Sequence, residues 1–400
     1  MAKRRSIDQY IRNGKEEKLA ARAEQLAGIF AGRAARYDAE GSFPFENFAD
    51  LREAGFYKLT VPKRYGGDEI SLYELVIVQE RLAAGDGSTT LGFGWHLGQT
   101  LHYRSTGSWP EPLFRRFCQD VVERGAMINS FASERATGSP SRGGKPETTA
   151  IKTDAGWLIS GRKIFSTLSP ILTQFIVSAW VQDEQRLGHF LVGKSDRVRI
   201  EETWNTLGMR ATGSHDLILD QAFVPEDSRI DQLDALGHPL PHADDASGWL
   251  LHIPACYIGI AHAARDFAVE FARTYRPNSL PGPIAELPHI QLQIGQMEAE
   301  LRTARNMLYT AADRWDKETG NWADLKPELG LAKYVATNNA IQIVDKAMRI
   351  VGGTSLSRTL PLERMYRDVR AGLHNPPMDD TVLRSLAQEA LQEPHSKSES

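Results

Sequence analysis

The spacing of apolar residues changes period twice along this chain, and that double change limits the fold more than any single motif does. Ala20, Ala23, Leu26, Ala27 and Phe30 recur at helical spacing. From near Met127 to about Val224 the period drops to two, in short runs parted by turn residues. From Ser247 the helical period returns. Ile290, Ile294, Met297, Leu301, Met307 and Leu308 share one side of a helix running from His289 towards Trp315. Leu331, Val335, Ile341, Val344, Met348 and Val351 do the same from Glu328 to Gly352. Helices, then strands, then helices predict an α+β chain: an N-terminal helical domain over residues 1–126, a small β-barrel or sandwich over 127–228, and a C-terminal helical bundle over 229–392. The tail 393–400, rich in Ser and charge, is expected to be disordered.

Local signals sharpen this outline. Ser71 and Asp86 are expected N-caps, and Val61–Gly67 a turn with two glycines available for positive φ. The expected strands are Met127–Ser133, Gly156–Phe165, Gln174–Val181, His189–Val192, Arg197–Trp204 and Asp216–Val224. Helices are expected over Trp249–Tyr275 and Asp379–Leu391.

Composition mainly excludes. A chain of 400 residues with 41% hydrophobic content can bury a large core, and a net charge of -4 gives no basic field for nucleic acid. No apolar run is long enough for a bilayer, so a soluble, cytoplasmic protein without membrane association is expected. Cys118 and Cys256 read as two idle thiols, with no metal site or disulfide.

The motifs point to one family. Val61–Gly67 reads VPKRYGG, and Asp86-Gly87-Ser88 precedes a helix. Phe131–Ser139 reads FASERATGS, Gly161–Thr167 reads GRKIFST, and Leu207–Thr212 reads LGMRAT. Pro361–Asp368 follows a helix that ends at Gly352-Gly353. In this order they resemble the acyl-CoA dehydrogenase superfamily, over most of the chain from Phe48 to Arg370. That resemblance implies a flavin between the β domain and the bundle, FAD before FMN, in a homotetramer. Phe131 and Ser133 would lie at its pyrimidine end, Phe165 against its face, and Thr167 near the reactive nitrogen. Gly352 and Gly353 would admit a neighbouring subunit's dinucleotide, and Arg349 and Arg276 its pyrophosphate. Ser139 and Trp249 would border the substrate. The glycines equally suit a helix C-cap in the left-handed helical conformation.

The same resemblance exposes a departure. The family's catalytic Glu falls on Pro376, and its alternative position on Trp249. His374 is the expected substitute base; Asp379 and Asp380 read as first-turn acids of the last helix, and His96 and His252 are weaker candidates, since buried histidines on a helix face are usually structural. The leading expectation is α,β-dehydrogenation of a CoA thioester, with a flavin-linked electron acceptor or reductase as partner. A two-component flavin-dependent monooxygenase and a non-catalytic flavin or acyl-CoA binder stand as alternatives.

Overall fold

The structure, a computed structural model, describes residues 5–137, 144–234, 238, 240–319 and 322–392. Five helices come first: α1 (Gly14–Glu40), α2 (Phe45–Glu53), α3 (Leu72–Ala83), α4 (Gly87–Thr106) and α5 (Glu111–Arg124). The Asn13 side chain caps α1 by accepting from the N–H groups of Lys15 and Glu16. Ser71 opens α3 with a full capping box, its hydroxyl and the Glu74 carboxylate each bonding the other's backbone N–H. The Asp86 carboxylate caps α4 through the Thr89 N–H.

All residues of α3 are buried. A helix covered on every side lies inside a larger core, and α3 packs against α1, α4, α6 and α7. Its polar side chains therefore need partners. The Glu80 carboxylate takes Tyr309 Oη–H at 2.5 Å and the Arg305 guanidinium at 2.6 Å, while Arg81 pairs with Asp8 and Glu24.

The strands are β1 (Ser130–Phe131), β2 (Thr149–Thr153), β3 (Gly156–Ser166), β4 (Gln174–Val181), β5 (Arg186–Gly193), β6 (Val198–Glu201) and β7 (His215–Pro225). They form one seven-stranded sheet in the order β1-β4-β2-β3-β7-β6, with β5 on the other edge of β4. The sheet curls enough for β5 to meet β7. β2 was not among the expected strands, and β1 is much shorter than the expected Met127–Ser133. Part of that segment bonds a helix instead: Ile128 N–H donates to the His96 ring on α4 at 3.2 Å.

The chain then returns to helices: α6 (His252–Thr274), α7 (Pro288–Lys317), α8 (Lys326–Val351), α9 (Leu362–Asp368) and α10 (Asp379–Gln392). Gly248–Leu251 forms a 3₁₀ turn, so Trp249 precedes α6 instead of opening it. α6 and α7 both pack on α8. None of the described helices is long and apolar enough to cross a membrane. The described residues hold no group of three or more His, Cys, Asp or Glu side chains placed to bind a metal, and Cys118 and Cys256 are buried free thiols.

The loop between β6 and β7 joins the sheet to the helical body. Met209 N–H donates to the Asp368 carboxylate at 2.6 Å. Gly208 lies so close to the Arg367 carbonyl that a Cβ would overlap it. Arg367 holds Asp38 and the Leu207 carbonyl, and Arg210 the Asp38 carbonyl. Asp368 is fully buried beside Asp86, with Arg364 as the nearby cation. Burial pushes its carboxyl up to about 7 against the pull of Arg364 and the Met209 N–H.

Candidate active site

The site begins at the end of β3. Its register with β7 breaks between Lys163 and Ser166, and inside that bulge Phe165 takes a φ of 55°. A bulky residue in the left-handed region is strained, and such strain gathers where a side chain must be aimed. Here it leaves the Phe165 ring 61% exposed, edge-on to Trp204 at 6.0 Å.

Two residues on, Thr167 is held through its backbone. Its N–H donates to the Phe165 carbonyl at 2.8 Å, and its carbonyl accepts from Asn129 Nδ2 at 3.1 Å. Its hydroxyl lies 2.8 Å from Ser214 Oγ, and Ser214 Oγ lies 2.7 Å from Thr212 Oγ1. Ser133 joins the group from the β1 side, its carbonyl accepting the Ile164 N–H at 3.0 Å. The next residue, Glu134, forms a fully buried ion pair with Lys163 at 2.5 Å and accepts the N–H groups of Glu147 and Thr148. Burial favours its neutral form, yet these donors hold the carboxyl below its ordinary range. Phe165, Thr167 and Ser133 are thus fixed together.

α4 carries this site into the helical body. Gly92 packs on Leu168, where a Cβ would lie 2.9 Å from Leu168 Cδ2. Further along, Gly94 and Gly98 leave room for His252 and Trp249. Those rings stack at 6.0 Å, and Trp95 meets both edge-on at 5.0 Å and 5.8 Å. His252 is fully buried and neither ring nitrogen has a hydrogen-bond partner. Burial lowers its pKa to about 3, so the ring is neutral. His96 differs: its Nδ1 accepts from Ile128 and its Nε2–H reaches the Tyr57 carbonyl at 2.9 Å, a structural arrangement.

The other expected residues are dispersed. Phe131 is 2% exposed and packs on Phe175, so its side chain serves the core. Ser139 lies outside the described residues. His374 is exposed at the end of the 3₁₀ segment Val369–His374, next to Asn375, whose side chain accepts the Tyr257 hydroxyl at 2.5 Å. Asp379 is paired with the buried Lys333 at 3.2 Å.

Arg276 is exposed, and Arg349 is paired with Asp345 at 2.8 Å. Gly352 and Gly353 are exposed, and a Cβ at either would meet nothing within 4 Å. Gly352 has φ 75° and ψ −155°, so α8 ends in the extended glycine region and not in the expected left-handed helical cap.

Ser214 and Thr212 went unrecognised as site residues in the sequence, and His252 was only a weaker candidate. The available signal was the Thr-Gly-Ser spacing ahead of β7, which sets two hydroxyls on one side. Two clefts of about 840 and 710 Å³ run along α1, but Phe165, Thr167 and Ser133 line neither. Most of their arginines are taken up by nearby acids, as Arg81 is by Asp8 and Arg367 by Asp38 and Glu363.

Phe165, Thr167 and Ser133 fit a flavin: an exposed ring offers a flat wall, and a hydroxyl and a half-buried serine flank it. Three family models match, described as the acyl-CoA dehydrogenase N-terminal domain over 15–107, middle domain over 130–222 and C-terminal domain over 251–373. The putative acyl-CoA dehydrogenase YdbM of Bacillus subtilis is 47% identical over 384 residues, covering 96% of this chain and 99% of that one. L-evernosamine nitrososynthase of a Micromonospora species is 30% identical, covering 87% and 84%.

Among solved structures, TdsC of Paenibacillus sp. A11-2 with FMN and indole superposes at a TM-score of 0.83 and 21% identity, covering 94% and 97%. Methanesulfinate monooxygenase MsuC of Pseudomonas fluorescens does so at 0.81 and 21%, covering 93% and 96%.

Proposed function

The chain belongs to the acyl-CoA dehydrogenase family, and from that premise we propose that it is a flavin-dependent monooxygenase acting on a small substrate beside Trp95, Trp249 and His252. One observation carries this reading. The wall that α4 extends from Leu168 offers a neutral, unpartnered imidazole and two indoles, while proline and tryptophan occupy the family's two carboxylate positions. None of these groups is a base strong enough to remove a proton α to a thioester. They suit a reaction that needs dryness and a hydrogen bond. The relatives named a nitrososynthase and a monooxygenase support the reading, as does the FMN in the TdsC complex.

Bound flavin would supply the two-electron chemistry. Phe165 would shelter its face, and Thr167 and Ser133 would hold its polar edge. Phe131 would contribute only backbone. Trp95 and Trp249 would exclude water, and a small shift of the buried His252 ring would bring one of its nitrogens to a polar atom of the substrate. Gly352, Gly353, Arg349 and Arg276, all exposed, would complete the cofactor site of a neighbouring copy in a homotetramer. A separate reductase would deliver the reduced flavin.

A second reading, dehydrogenation of an acyl-CoA, is favoured by the 47% identical relative named a putative acyl-CoA dehydrogenase. His374 would then be the base. One experiment divides the two. Flavin-loaded protein is mixed anaerobically with short, medium and long acyl-CoA thioesters, then reduced and exposed to oxygen. We expect the yellow colour to persist with every thioester, and rapid oxygen uptake by the reduced form. Bleaching by a thioester would overturn the proposal, and a His374→Gln variant that slowed it about a hundredfold would identify the base.

A further inference from the structure

We infer that Thr212 and Ser214 fix the direction of the Thr167 hydroxyl, so that this site binds reduced flavin more tightly than oxidised flavin. The inference rests on the placement of flavin against Thr167 proposed above.

A hydroxyl has one proton to give. Thr212 Oγ1–H donates to the Met209 carbonyl at 3.0 Å, and a carbonyl can only accept. At the 2.7 Å contact with Ser214, the remaining proton therefore comes from Ser214. With that proton committed, the 2.8 Å contact between Ser214 and Thr167 takes its proton from Thr167. Thr167 Oγ1 is left as an acceptor on its free side. Thr212 and Ser214 are both buried, which keeps water from reversing the order.

The opposite order is the less bonded one. With Thr167 donating outward, Ser214 donates to Thr167 and Thr212 to Ser214, and the Met209 carbonyl keeps only Trp204 Nε1–H at 2.9 Å and the Thr212 N–H at 3.3 Å. The inward order makes three internal bonds from three protons, and the outward order makes two. The backbone of Thr167 is anchored as well, its N–H and carbonyl both being engaged. The reactive nitrogen of flavin bears hydrogen when reduced and a bare lone pair when oxidised. An acceptor at Thr167 meets the first and repels the second, so the difference is about one hydrogen bond. Ser214 and Thr212 are positioning residues in this account.

The test compares full-length wild type with Thr212→Val, Ser214→Ala and Thr212→Ser. Affinities for oxidised FMN and FAD are read by fluorescence quenching, those for the dithionite-reduced forms by anaerobic ultrafiltration, and the bound-flavin potential by dye-coupled titration. One net hydrogen bond predicts that wild type prefers reduced flavin about fivefold. For a two-electron couple that ratio raises the bound potential by about 20 mV over free flavin. Thr212→Val and Ser214→Ala release the Thr167 proton and should lose the preference, while Thr212→Ser should keep it. A wild-type ratio in both Thr212→Val and Ser214→Ala would overturn the inference and leave the flavin site standing. Failure of wild type to bind either flavin would overturn both.

Discussion

Replacing Lys163 by Met should cost far more stability than its ion pair contributes. Lys163 and Glu134 are buried, with Nζ 2.5 Å from Oε1. At that distance, with an effective dielectric near 20, attraction is worth about 7 kcal/mol. Desolvating each ion costs several kcal/mol, so the intact pair is close to break-even. Removing only the cation forfeits the attraction and leaves the carboxylate buried, held by the N–H groups of Glu147 and Thr148 alone.

We expect Lys163→Met to lose about 3–5 kcal/mol. The double variant Glu134→Gln with Lys163→Met should recover most of this, because Gln leaves no buried charge and keeps an acceptor for one of those N–H groups. The coupling should exceed about 2 kcal/mol. Urea unfolding followed by tryptophan fluorescence at pH 7 measures it. A loss under about 1 kcal/mol in the single variant, or a double variant no better than the single, would refute the reasoning. Ser133 follows the same anchor through the Ile164 N–H, so oxidised-flavin affinity should drop in Lys163→Met too.

Asp368 predicts a pH effect of defined sign. Its folded carboxyl is raised to about 7, above the unfolded value, so the folded state binds the proton more tightly. The stability this proton supplies is complete below about pH 4 and is lost as pH rises towards 7. Asp368→Asn keeps an acceptor for Met209 N–H but cannot titrate. Its urea midpoint, compared with wild type from pH 5 to 8, should therefore gain steadily on wild type; a constant difference would contradict this. Gly94→Ala should destabilise by about 1–3 kcal/mol despite alanine's better helix propensity, because its methyl collides with His252 Nδ1 and Gln79 Nε2. Gly28→Ala on α1, where nothing lies within 4 Å, should instead stabilise by about 0.5–1 kcal/mol. Thermal melts of the two variants shifting the same way would count against the packing argument.

Much of the frame was legible because local and long-range signals agreed. The Ser71 and Asp86 caps, the strand Gln174–Val181, and the buried stripe of Ala20, Ala23, Leu26, Ala27 and Phe30 follow from periodicity and capping alone. β2 did not, because Thr149–Thr153 exposes Ile151 and Lys152, and its ladder is supplied by β3. β5 extends beyond His189–Val192 at both ends, because its first residues are polar or exposed and only pairing with β4 makes them strand.

At the site, Thr167 and Phe165 were legible as residue types. The bulge that turns the Phe165 ring outward is a property of β3 and β7 together. The lack of a partner at His252 was not legible for a similar reason. A histidine on a helix usually finds a partner, as His96 does; that His252 finds none depends on glycines more than 150 positions away.

The covering of α3 on every side has a consequence for how the chain is made. Its partner α6 is encoded beyond the whole sheet, so at about 5–20 residues per second it leaves the ribosome roughly 9–36 s later. Throughout that interval α1 and α4 are the helices already made, of the four that α3 packs against, to cover Val76, Ile77, Val78 and Leu82. A nascent chain halted after the strands should be sticky and a client for chaperones, and a gene fragment ending there should yield inclusion bodies instead of a miniature of the protein.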